Sequence, residues 1–178
     1  MRGEPGMRKA LGPALFGVVV ALASHLAVIH YAPTFIMSRA MAMLEGRGTQ
    51  LHQFKLAERT TPQSQSVVRP SPDLAYSACL FDLDRARSGL LVKMAATEGY
   101  ASLSFFDAAT NNFRTIRGTG NGLEVRLLPP GSGANGPQQV VSPTTTGIML
   151  IRRLAPTKDD YDRAADIARG DSCAPFGS

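Results

Sequence analysis

After residue 52 the sequence contains no histidine; the three present are His25, His30 and His52. That absence removes the usual general base for a serine or cysteine nucleophile, and the side chain that titrates near neutrality, from most of the chain. Cysteine is nearly as scarce. Cys79 and Cys173 are the only two, too few beside so little histidine for a Cys/His zinc site. Tryptophan is missing altogether. The glycine-rich stretches "GTGNG" (118–122) and "PPGSGANGP" (129–137) lack the Gly-Lys-Ser/Thr ending of a phosphate-binding loop, and they lead towards strands. No metal site and no cofactor are expected.

Basic charge is scarce where a nucleic acid would need it. The formal net charge is +5, but residues 1–59 carry seven Lys/Arg against three Glu, and residues 60–178 carry twelve Lys/Arg against eleven Asp/Glu. The excess therefore sits in the N-terminal segment. No nucleic-acid partner is expected, because nothing later in the chain supplies the phosphate-neutralising face that such binding needs.

What is present first is a long apolar run. Residues 10–32, "ALGPALFGVVVALASHLAVIHYA", contain no Asp, Glu, Lys or Arg. At 1.5 Å per residue, about 20 apolar residues cross a bilayer core of about 30 Å. Pro13 falls near the start, where a first helical turn tolerates proline. Arg2, Arg8 and Lys9 precede the run, and basic residues thin out after it. The positive-inside bias then predicts a cytoplasmic N-terminus (1–9), a transmembrane anchor (10–32) and an exported remainder. A cleaved signal peptide ending at Ala21-Leu22-Ala23 is the rival; it exports the same remainder. His25 and His30 lie about 140° apart around a helix, poor geometry for joint metal ligation.

Residues 33–66 read as a juxtamembrane helix followed by a polar linker. Ile36, Ala40, Met41 and Leu44 follow helical spacing, Gly46 and Gly48 interrupt it, and "TTPQSQS" closes the segment. Residues 67–178 read as an exported β-rich domain. Period-two alternation around 90–94, 101–105 and 123–127 predicts an antiparallel sheet or sandwich with one wet face. The apolar stretch 148–151 predicts a central strand. "GTGNG" supplies the positive φ of a hairpin. Thr157 and Asp160 have capping-box spacing at the start of a C-terminal helix reaching Ala168. The fold class is therefore mainly β, with an N-terminal transmembrane helix, a juxtamembrane helix and a C-terminal helix.

Chemistry-bearing residues crowd one stretch, "RPSPDLAYSACLFDLD" (69–84). Its two prolines impose an extended corner. There Asp73 can bond nearby backbone, Arg69 can pair with it, and the Tyr76 hydroxyl seeks a partner. Asp82 and Asp84 would share a face if both lay on a strand. In an exported domain, Cys79 and Cys173 suggest one disulfide worth about 3–4 kcal/mol by chain entropy; two free thiols remain the alternative.

"RPSPDLAYSACLFDLD", "YASLSFFDAATNNF" (100–113) and "TTTGIMLIRRL" (144–154) together resemble a bacterial envelope family of unknown function, DUF1254, in its short, membrane-anchored form. Arg69, Asp73, Tyr76, Ser77, Asp82 and Leu83 carry the first motif, and Tyr100, Ser102, Asp107, Asn111 and Asn112 the second. At 87–89 the chain has Arg-Ser-Gly where the family favours a proline turn. The resemblance implies that the second domain of larger members is replaced here by a separate companion protein. It supplies no activity. The expectation is a non-enzymatic module, anchored in the bacterial inner membrane and exposed to the periplasm, that pairs with such a companion. Its contact residues would be Arg69, Asp73, Tyr76, Asp107, Asn111 and Asn112. The alternative is a small-molecule-binding protein or enzyme whose polar cleft gathers around Asp73 and Tyr76.

Overall fold

The computed structural model describes residues 5–61 and 70–177. It begins with a 42-residue helix, α1 (Pro5–Gly46), which holds Pro13 and Pro33 without breaking. Nine strands follow: β1 (Lys55–Leu56), β2 (Leu74–Asp82), β3 (Leu90–Met94), β4 (Ala101–Asp107), β5 (Asn112–Arg117), β6 (Leu123–Leu128), β7 (Gln139–Val141), β8 (Thr146–Leu154) and β9 (Ser172–Pro175), with helix α2 (Lys158–Ala168) between the last two.

The strands form two sheets, one ordered β1-β2-β8-β4-β5 and the other β7-β6-β3-β9. Their inward faces share one core. Cys79, Phe81, Leu103, Phe105, Met149 and Ile151 come from the first sheet, and Leu90, Val92, Met94, Val125, Leu127 and Cys173 from the second. Period-two alternation produces this, since each strand offers every second side chain to the interior. The expected β-rich sandwich is thus present. The expected central strand is β8, which pairs with β2 on one side and β4 on the other. Gly147 must be glycine here: a Cβ would stand 2.2 Å from the Phe106 carbonyl oxygen and 2.5 Å from the Phe81 ring.

Three local expectations are corrected. First, there is no separate juxtamembrane helix among the described residues. α1 runs unbroken to Gly46, and Gly48 (φ +83°) turns the chain. Met37 is buried, Pro33, Ala40, Met41 and Leu44 are half-buried on the same helical face, and α1 touches β8. Because the second sheet fills the inner face of β8, the helix lies on the outer face of the first sheet. That explains why 148–151 is apolar on both faces. Second, "GTGNG" is not a hairpin. It joins β5 of one sheet to β6 of the other, so its glycines serve a crossover. The hairpin lies earlier, between β4 and β5. Third, the antiparallel pairing has one exception among the named strands, β6 with β7, which run parallel.

Residues after Gly48 belong to the first sheet. Leu51 bridges to Leu80, and β1 pairs with β2. α2 starts with the expected capping box between Thr157 and Asp160, and packs Ala164 and Tyr161 against Ala75, Ala155 and Leu56.

Candidate functional site

Of the six residues expected to make contacts, the five that are described do not converge. Tyr76 lies near the start of β2, in register with Arg152 and, through it, with Ser102. Asp107 ends β4 in the row of Gly147 and Phe81. These rows are five residues apart along the strands, roughly 16 Å at 3.3 Å per residue. Arg69 lies outside the described residues.

Each end has a local structural task. At the corner, the Ser71 amide donates to the Tyr76 hydroxyl at 2.9 Å, and the Ala155 amide donates to the Asp73 carbonyl at 2.7 Å. Tyr76 thus braces the turn into β2, while Asp73 is exposed. At the other end, the Asp107 carboxylate accepts from the amides of Ala109 and Asn111 at 2.8 Å each and from the Asn111 side chain at 2.9 Å. It is 5% exposed and organises the β4–β5 hairpin. Asn112 donates to the Thr115 hydroxyl at 2.9 Å along β5. The Asp82–Asp84 pair dissolves similarly: β2 stops at Asp82, whose carboxylate accepts the amides of Asp84 and Arg85 at 3.0 and 3.3 Å.

The structure offers a different concavity. A cleft of about 550 Å³ opens between residues 51–54 and residues 171–175. His52 forms part of one wall, with φ +58°. Its main-chain amide donates to the Leu80 carbonyl at 2.9 Å, and its Nε2 lies 3.0 Å from the Asp82 carbonyl oxygen and 3.1 Å from the Asp82 amide nitrogen, donating to the first or accepting from the second according to tautomer. Burial lowers the His52 pKa below its ordinary value, against the opposing pull of Asp82. Reading the sequence gave no reason to bring His52 to Asp82; the contact depends on the Leu51–Leu80 bridge, which no local pattern announces.

Asp171, Ser172 and Cys173 form part of the opposite wall. The Cys79–Cys173 disulfide is present, 94 residues apart in sequence, and links β2 of the first sheet to β9 of the second. Beside it, the Arg153 Nη1 and Nη2 donate to Asp171 at 2.8 and 2.6 Å, while the Ala95 amide donates to the same carboxylate at 2.9 Å. The side chains are 3% and 0% exposed. This ion pair is a second tie between the sheets. Its signal in the sequence was the alternation Met149, Ile151, Arg153, which places the arginine on the inward face. Among the described residues, no group of three or more His, Cys, Asp or Glu could hold a metal ion. The cleft is of mixed character, with His52, Gln53 and Ser172 among its polar lining residues and Leu51, Phe54 and Pro175 among its apolar ones.

A family model described as "Protein of unknown function (DUF1254)" matches residues 51–175. No curated protein is a significant match. Among solved structures, the VPA0106 protein of Vibrio parahaemolyticus is similar over 88% of this chain and 38% of its own, at 14% identity and a TM-score of 0.63. A putative uncharacterised protein of Burkholderia cenocepacia is similar over 86% of this chain and 41% of its own, at 11% identity and a TM-score of 0.45. The chain thus spans about two-fifths of the length of the solved structures it resembles.

Proposed function

The chain belongs to the DUF1254 family of proteins of unknown function, and from that membership we propose that it is a membrane-anchored assembly module of the cell envelope. In this reading α1 spans the bacterial inner membrane once, with the N-terminus cytoplasmic and the β-sandwich in the periplasm, where it binds a companion envelope protein. The observation that carries the reading is the joining of a long apolar helix to the sandwich: α1 buries Met37 and touches β8, while its apolar stretch stays unburied. The similarity takes in only 38% of the Vibrio parahaemolyticus chain, and the companion proposed here would resemble the remainder of such a larger chain. Two features support it. The helix over Leu11–Gly46 is long and apolar enough to cross a membrane, and the domain buries none of its most apolar 18-residue window. The polar residues that a catalytic cleft would have used are instead spent on two distant turns.

The test is purification of the full chain, after mild cross-linking, from membranes of its native host. The expected result is enrichment of an envelope protein whose sequence matches the portion of larger family members beyond this domain. Recovery of the chain alone, with such a protein present in the same membranes, would overturn the proposal.

A further inference from the structure

We propose that the outer face of the first sheet carries an oxyanion site, formed by Arg152, Ser102 and Arg117, that takes a phosphate-type group. The registers set up the site: Arg152 of β8 stands opposite Ser102 of β4, and Ser102 opposite Arg117 of β5. Their neighbours Ile151 and Leu103 point into the core, so these three side chains project from the other face. Strands lie about 4.8 Å apart, which puts the two arginine Cα atoms about 10 Å apart with the serine between them. Two long guanidinium arms meet readily over such a gap.

The local chemistry is arranged for an acceptor. The Tyr100 hydroxyl donates to Ser102 Oγ at 3.0 Å, leaving the serine proton to donate elsewhere. The Arg117 guanidinium carbon sits 5.3 Å from the centre of the Tyr100 ring, which holds its position while leaving N–H edges open. Arg152 is half-buried and has no hydrogen-bond or ion-pair partner among the described residues. The contrast with Arg153 is direct: that neighbour is paired bidentately with Asp171. The guanidinium nitrogens of Arg152 are not among the buried atoms left without a partner, so solvent reaches them, and Arg117 two strands away is exposed. An oxyanion between the two positive charges would take the place of that water, and the planar fork of arginine matches phosphate oxygens.

The phosphate has two sources. α1 reaches the domain over this same outer face, so a lipid headgroup can approach alongside it; a free phosphate can enter from solvent. Calorimetry on the full chain in maltoside micelles, titrated first with inorganic phosphate and then with short-chain phosphatidylglycerol, separates them. Saturable phosphate binding is expected, weakened about tenfold or more in Arg152→Gln and in Arg117→Gln. Arg114→Gln, a change at an exposed arginine of β5 in the row of Phe105, should leave binding intact, and Arg152→Lys should fall between. Tighter binding of phosphatidylglycerol, competitive with phosphate, identifies the headgroup; binding of phosphate alone identifies a free anion. Absence of saturable binding by both ligands overturns the proposal, as does equal affinity in Arg152→Gln with an unchanged circular dichroism spectrum.

Discussion

Burial is what favours a neutral imidazole at His52. Its Nε2 lies 3.1 Å from the amide nitrogen and 3.0 Å from the carbonyl oxygen of Asp82 at the end of β2, accepting from the first or donating to the second according to tautomer. Burial holds the pKa below 6.5 in the folded protein. The unfolded chain therefore binds a proton that the folded chain does not, at pH values between the folded pKa and about 6.5. The sign follows: the contribution of His52 is fully present above about 6.5 and is lost as pH falls through the folded pKa. Denaturation of the full chain between pH 5 and 8 should show stability rising towards a plateau near neutrality. His52→Gln supplies an acceptor that does not titrate. The cost of a positive φ at this position is independent of pH, so the variant should lose the slope even if it loses stability overall. Parallel pH profiles in the two proteins would refute the assignment.

Strand β9 is four residues long, and β3 is its one strand neighbour. What secures it lies outside the ladder: the Cys79–Cys173 disulfide within it and the Asp171–Arg153 pair just before it. Closing a loop of this length is worth about 4.7 kcal/mol on a chain-entropy estimate. Replacing both cysteines with serine should lower the unfolding free energy by about that amount, and amide exchange should accelerate most in 172–175. A loss below about 1 kcal/mol, with exchange unchanged, would show that the ion pair and core packing hold the strand by themselves. Much of this was legible in advance. Alternation located β3, β4 and β6, two-faced apolarity located β8, and Thr157 with Asp160 located the start of α2. Partnership was less legible, because alternation says that a stretch is a strand and not which sheet it joins. "GTGNG" therefore looked like a hairpin when it was a crossover. The site residues failed for a related reason. Asp73, Tyr76, Asp107 and Asn111 are near in type and motif, yet register separates their rows by the length of a strand. His52 and Asp82 are 30 residues apart, and their contact is set by tertiary pairing alone.

At the scale of the whole molecule, the continuity of α1 matters most. Its 42 residues extend about 63 Å at 1.5 Å per residue, twice the roughly 30 Å needed to cross a hydrocarbon core. The surplus is not a loose stalk. Its C-terminal turns lie against the outer face of the first sheet, with Met37 5% exposed, so the domain is fixed to the helix instead of hanging from a linker. If α1 spans a membrane as proposed, a rigid mount would present the cleft beside β9 and the Arg152 row at a constant height and orientation above it, as the proposed assembly role requires. The mount can be broken without touching the sandwich core. Met37→Asp places a charge where an apolar side chain is buried against the sheet, and burial of an unpaired carboxylate is strongly unfavourable. Spin labels at the exposed positions Met43 and Asn112, read by pulsed dipolar spectroscopy on the full chain in nanodiscs, report the helix-to-domain distance. The native Met37 should give one narrow distribution. Met37→Asp should give a broad one, while the domain's far-ultraviolet dichroism stays the same. Broad distributions in both would mean that the helix and domain move independently, and the fixed-height presentation would fail with them.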